Sequence, residues 1–189
     1  MYLFFDTETT GLPKDWKAPV TNLENWPRLV QLAYLLYSDE GLLVSKSDFI
    51  IRPDGFSIPD EATKIHGIST DKANQEGRHL ADVLQTFTEY LNQANCIVAH
   101  NIRFDEKIVG AEFLRMGLKD PLLSKKKICT MLRSTDFCAI KGKYGYKWPS
   151  LTELHQKLFQ TKIEEAHNAA IDICATANCF WELKRLKVL

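Results

Sequence analysis

A chain of 189 residues is long enough for one domain with a substantial core and too short for two comfortable ones. Its hydrophobic share of 45% and charged share of 25% are ordinary for a soluble globular protein. The 24 basic and 24 acidic residues cancel, which excludes a global field drawing the chain toward nucleic acid or membrane, though not a local basic cluster.

The first element is the apolar run from Met1 to Phe5, which ends in Asp6-Thr7-Glu8 and then Thr9-Thr10-Gly11. An unbroken apolar run suits a strand buried on both faces. Side chains alternate with period two, so Asp6 and Glu8 project from one face. Two adjacent carboxylates repel unless a cation sits between them, and hard oxygen ligands suit Mg²⁺ or Mn²⁺. The polar stretch from Pro13 to Pro27 reads as a loop. RLVQLAYLLYS and LLVSKSDFIIRP follow as two strands joined at Asp39-Glu40-Gly41, completing an antiparallel three-strand meander. A short helix is predicted over Asp60 to His66, stopped by Gly67. An amphipathic helix over Leu80 to Gln93 carries Leu80, Val83, Leu84, Phe87 and Leu91 on one face. Cys96 to Ala99 is a buried strand, and Asn101 to Met116 is a helix ended by Gly117. A fifth strand is expected over Ile128 to Met131, an irregular stretch over Thr135 to Trp148, and a helix over Ser150 to Phe159. A closing helix over Asn168 to Lys187 turns Ile171, Ala175, Cys179, Leu183 and Leu186 inward. This pattern predicts an α/β fold, a mixed five-stranded sheet flanked by helices, in one domain over residues 1–189. The five cysteines are scattered, odd in number and form no CxxC, so free thiols in a reducing compartment are expected and zinc is not. With no signal peptide and no apolar run of membrane-spanning length, a cytoplasmic protein is predicted.

Two later segments share one grammar: His100-Asn101-Ile102-Arg103-Phe104-Asp105 and His167-Asn168-Ala169-Ala170-Ile171-Asp172. Each reads H-N-x-x-x-D at a predicted helix start, with Asn in the N-cap position and the aspartate about one turn inside. The helix dipole favours an ionised carboxylate there, and helix starts gather where strand ends meet ligands in α/β folds. Asp6, Glu8, Asp105 and Asp172 are therefore expected to converge. His100 ends a buried strand and is expected to be packed or hydrogen-bonded in place. His167 fits a loop before the last helix, where an imidazole with an ordinary pKa near ~6.5 suits a general base.

Together these residues resemble the DEDDh branch of the DEDD (DnaQ-like) 3′–5′ exonuclease superfamily, which includes the proofreading epsilon subunit of bacterial DNA polymerase III. DTETTGL matches the first motif, HNxxFD the second and HxAxxD the third, while PRLVQLA and ATKIHGI resemble further family segments. The resemblance implies a ribonuclease-H-like fold and two divalent ions, Mg²⁺ or Mn²⁺, about 3.5–4 Å apart. It implies that Asp6, Glu8 and Asp172 hold the first ion, and that Asp6 and Asp105 serve the second. It also implies that His167 deprotonates the attacking water, with a nucleoside 5′-monophosphate released from a 3′ end. Thr9, Gly11 and Leu12 match positions near the terminal nucleotide, and His66 and Asn101 match pocket positions.

The resemblance points to single-stranded DNA or RNA 3′ ends as partners. The chain would act alone or with a DNA polymerase in trans, and a homodimer is compatible with the sequence. Two local features suit single strands: Lys125-Lys126-Lys127, and the interleaved Lys141, Lys143, Tyr144, Tyr146, Lys147 and Trp148. A solvated loop is the competing account of both. Trp16 and Trp26 are expected in the core rather than along a substrate path. Two other functions compete. A catalytically silent nucleic-acid-binding domain would be expected to have lost a ligand position. A haloacid-dehalogenase-type phosphatase would carry D-x-D where this chain has Asp6-Thr7-Glu8.

Overall fold

The computed structural model describes residues 1–163 and 168–189. Five strands form the main sheet: β1 (Tyr2–Thr9), β2 (Leu29–Tyr37), β3 (Leu43–Ile50), β4 (Cys96–Ala99) and β5 (Lys126–Cys129). Their spatial order is β3-β2-β1-β4-β5. β1 to β3 form the antiparallel meander, whereas β4 lies parallel to β1 and β5 parallel to β4. Helices α1 (Asp60–His66), α2 (Thr70–Glu76), α3 (Leu80–Gln93), α4 (Ile102–Arg115), α5 (Thr130–Arg133), α6 (Thr135–Cys138), α7 (Leu151–Phe159) and α8 (Ala169–Arg185) complete the order. A two-stranded hairpin, β6 (Lys141–Gly142) and β7 (Gly145–Tyr146), stands apart from the main sheet. No helix among the described residues is long and apolar enough to cross a membrane.

The alternation of β1 builds both layers of the core. Leu3 and Phe5, with Leu32, Tyr34, Leu36 and Ile97, pack against Val83, Leu84, Phe87 and Leu91 of α3 and Ile108 and Val109 of α4. Phe4, with Ala33, Leu35 and Val98, packs on the opposite face against Ala169, Ile173, Ala177 and Phe180 of α8. These rings contribute beyond their burial: Phe4 meets Phe180 edge-on, with centroids 5.1 Å apart. β1 pairs with β4 only over Tyr2 to Phe4, so the later residues of β1 run past that pairing. From β1 the sheet grows toward β2 on one side and from β4 toward β5 on the other. This is the switch point at which a crevice opens in α/β sheets.

Several elements depart from expectation for identifiable reasons. β5 begins two residues earlier than the apolar residues suggest, because an edge strand tolerates lysines; Lys127 pairs with Glu106 at 2.6 Å. Lys125 also reaches back, donating to the Ala94 carbonyl. Part of the lysine run is thus consumed in structure. In α8 the sheet reads the row Ala169, Ile173, Ala177 and Phe180, while Cys179 and Leu183 face Leu154 of α7. A helix buried on two sides needs a wider apolar stripe than one row supplies, and Ile171 and Leu186 fall at its margins. Trp26 lies in the core as expected, but Trp16 is 44% exposed and leans on Phe104. The long loop after β1 is tied down by buried Glu112 of α4, which accepts from Arg28 Nε and Leu29 N and pairs with Arg115. Arg115 in turn donates to the carbonyls of Leu23 and Trp26.

Candidate active site

Period two sorts the end of β1 onto two faces. Asp6 opposes Ala33 and Glu8 opposes Gln31, so both carboxylates share the α8 face with Phe4. Thr7 opposes Leu32 and joins Leu3 and Phe5 on the α4 face. A bulge between Glu8 and Thr9 then re-aims the strand, a common device beside functional sites.

On the α8 face, Asn168 caps the helix, its side chain accepting from Ala170 N at 3.0 Å, and Asp172 stands in the first turn. One carboxylate oxygen each from Asp6, Glu8 and Asp172 lies within 4.8 Å of the others. Burial foremost, then the charges of Asp105, Asp172 and Glu8, holds the Asp6 carboxyl well above the ordinary carboxylate range. Glu8 is pushed up to about 7 by burial and then by Asp172 and Asp105. Three half-buried carboxylates crowded to this degree are costly as bare anions, and a divalent cation with oxygen preference fits them. The chemistry of this donor set therefore suits Mg²⁺ or Mn²⁺.

On the α4 face, Asp105 is buried in the first turn of the helix. Its Oδ1 accepts two hydrogen bonds from Thr7, from Oγ1 at 2.7 Å and from the backbone N–H at 3.1 Å. Burial raises its pKa and the Thr7 bonds oppose that rise. Asp105 thus stands beneath the cluster, near enough to raise Asp6 and Glu8 electrostatically but outside the group of three.

The other expected residues are distributed unevenly. Thr9 is buried at the bulge, where its hydroxyl donates to the Gly11 carbonyl at 2.6 Å. Gly11 sits at φ 151, which a side chain would disfavour, and Leu12 is 74% exposed just beyond it. His66 is buried at the end of α1, and its Nδ1 accepts from Ile68 N at 3.1 Å. That bond leaves the proton of the neutral ring on Nε2, which faces the Thr9 backbone without reaching hydrogen-bond geometry. His66 and Thr9 are thereby brought together. Asn101 differs from expectation: it precedes α4 at φ 66 and ψ 45, in the left-handed region, with no side-chain cap. The chain must turn sharply from β4 into α4, and asparagine tolerates that conformation. His100 is held as a structural residue, Nε2 donating to the Pro149 carbonyl at 3.0 Å and Nδ1 bonded to Thr130 Oγ1 at 3.0 Å. Burial pushes its pKa down to about 4. His167 lies outside the described residues.

Two contributors carry no signal in the acidic motifs. Thr7 sits inside DTE yet serves the opposite face. Gln31, buried in β2 across from Glu8, accepts from Ala169 N at the start of α8 through Oε1 and donates to Asp48 Oδ1 at 2.7 Å. It fastens the helix carrying Asp172 to the strand beside Glu8. A lone amide inside LVQLAYLLY was the available clue.

The exonuclease family model RNase_T matches residues 3–180. Human three-prime repair exonuclease 1 is 27% identical over 203 residues, covering 97% of this chain and 64% of that protein. A PolC-type DNA polymerase III from Lactococcus lactis is 28% identical over 175 residues, covering 93% of this chain and 9% of the polymerase. The chain thus spans only part of these relatives. Among solved structures, Escherichia coli Exonuclease I in complex with a dT13 oligonucleotide shares the fold, with a TM-score of 0.75 at 20% identity over 98% of this chain and 42% of that one.

Proposed function

This chain belongs to the RNase_T exonuclease family, and from that premise we propose that it hydrolyses the terminal phosphodiester at the 3′ end of a nucleic-acid strand and releases a nucleoside 5′-monophosphate. The observation that carries the reading is the meeting of Asp6, Glu8 and Asp172 within 4.8 Å at the switch point of the sheet. Two divalent ions, Mg²⁺ or Mn²⁺, would supply positive charge to both the attacking and the leaving oxygen at phosphorus. Asp6, Glu8 and Asp172 would hold one of them, and Asp6 with Asp105 the other. Thr7 fixes the Asp105 carboxylate by two hydrogen bonds, and Gln31 fixes the start of α8, so both acidic helices reach β1 already oriented. His167, by its place in the H-x-A-x-x-D motif, takes the proton of the attacking water.

The bulged exit of β1 supports the substrate end. By their match to the family's first motif, backbone N–H groups around Thr9 and Gly11 would hold a 3′-hydroxyl, and exposed Leu12 would pack on a terminal base. His66, beside the Thr9 backbone, and Asn101, at the head of α4, would line the same subsite. Because Exonuclease I has been solved with dT13 and the sequence relatives include a repair exonuclease and a DNA polymerase, single-stranded DNA is the first substrate to test. Work beside a DNA polymerase in trans belongs to the same proposal.

With Mg²⁺ or Mn²⁺, a 5′-labelled single strand is expected to yield a ladder of products shortened from the 3′ end, and EDTA is expected to abolish it. A ladder of the opposite polarity, or one indifferent to EDTA, would refute the reading.

A further inference from the structure

The hairpin β6–β7 has no role in the carboxylate site, yet its side chains are placed in an unusual way. Lys141 pairs with Tyr146 and Gly142 with Gly145. Gly145 sits at φ 117, which favours glycine, and a Cβ on Gly142 would lie a tight 3.1 Å from the Gly145 carbonyl oxygen. Tyr144 is 90% exposed, Trp148 63% and Tyr146 53%. Three large rings left in water serve no core. Cations accompany them: Lys141 and Lys143 are exposed, and Lys143 Nζ lies 5.1 Å from the Tyr144 ring centroid. Residues 140–149 contain no acidic residue.

The root of this hairpin is fastened, and fastened to the catalytic edge. Lys147 N donates to the Ile140 carbonyl at 2.9 Å, closing the ladder. The Lys147 ammonium pairs with Glu153, which also completes the capping box of α7 with Ser150. The Pro149 carbonyl accepts from Nε2 of His100. His100 terminates β4 and leads into the helix that carries Asp105, so the tether joins the base of the hairpin to the edge where the carboxylates gather.

We propose that this hairpin is an arm that grips single-stranded nucleic acid upstream of the cleaved end. Tyr144, Tyr146 and Trp148 stack on bases, and Lys141 and Lys143 contact phosphates. The placement of the gripped segment upstream rests on the 3′-end reading above; the binding itself does not. Aromatic rings alternating with lysines are the composition of a single-strand surface, because every base has a face to stack and every linkage a charge to neutralise. A second copy of the chain would fit less well, since lysine is depleted from the cores of protein interfaces.

The test measures binding in EDTA, where no strand is cut, by fluorescence anisotropy. Labelled dT and rU strands of about twenty nucleotides are compared with strands of about four. The Tyr144→Ala/Trp148→Ala double variant is expected to bind the long strand about ten- to a hundredfold more weakly and the short one within about twofold of the parent. Tyr144→Phe keeps the ring and is expected to keep the affinity. Lys141→Ala/Lys143→Ala is expected to lower the slope of log affinity against log salt by about 1.4. Long-strand affinity unchanged in the aromatic variant would overturn the proposal. So would sedimentation showing that this variant changes the oligomeric state while binding is intact. Parent protein that binds through the hairpin but fails to trim would refute the hydrolytic reading and leave the arm standing; trimming protein whose hairpin variants bind normally would do the reverse.

Discussion

The two faces of β1 treat their aspartates differently. On the α8 face, Asp172 lies so close to Asp6 and Glu8 that its charge adds to burial in raising the pKa of both. On the α4 face, Asp105 is equally a first-turn aspartate, but a hydroxyl and an N–H from Thr7 meet it. Three consecutive residues therefore supply two carboxylates to one side and one support to the other. What looks from the motifs like four equivalent acids divides into a crowded group of three and a buried, braced fourth. Crowding adds to the cost of the bare carboxylates in the first group, while two bonds from Thr7 brace Asp105, whose pKa burial still lifts to about 7.

This contrast can be broken from either side. The largest effect is expected at the crowded face: Asp6→Asn or Asp172→Asn should lower the rate of 3′ trimming by at least about a thousandfold, read from initial rates on a 5′-labelled strand. On the braced face, Thr7→Val keeps shape and removes the hydroxyl donor to Asp105. It should lower the rate by about ten- to a hundredfold, with Thr7→Ser recovering most of it. Gln31→Leu should cost up to about tenfold by loosening the start of α8, and its loss should be larger at low metal concentration. The smallest effect is thermal. Glu8 titrates near 7 in the folded chain against an ordinary value of 4.5, so the folded state binds more protons than the unfolded one between those pH values. The contribution of Glu8 to stability without metal is thus full below about pH 4.5 and is lost as pH rises toward 7. In EDTA, Tm should fall by roughly 5 °C between pH 5 and pH 7, and saturating Mn²⁺ should remove that fall. A Tm that rises over this interval in EDTA would contradict the crowding.

Most of the scaffold was legible because its signals are local. Apolar runs announced β1, β4 and, around Gln31, β2, while the 3.6-residue period announced α3 and the Asn101 and Gly117 end signals announced α4. The left-handed Gly67 and Gly117 stop their helices as expected. Elements whose identity depends on neighbours were harder. β5 carries lysines that only an edge position tolerates, and α2 (Thr70–Glu76) has almost no apolar face to betray it. Asp6 and Glu8 could be paired by alternation alone, but the same rule applied to Thr7 shows why Asp105 stands apart from them. Gln31 reads in sequence as a polar interruption of an apolar strand; its role appears only once α8 is seen to begin against it. Asn101 illustrates the limit of propensity, since the same residue type serves as a side-chain cap at Asn168 and as a left-handed turn before α4.

The division between the two faces is tested most directly by titrating Mn²⁺ into the parent, Asp172→Asn and Asp105→Asn proteins and counting bound ions by electron paramagnetic resonance. The parent should bind two, Asp105→Asn should keep the tighter site, and Asp172→Asn should lose it. Retention of the tighter site by Asp172→Asn together with its loss in Asp105→Asn would contradict the account.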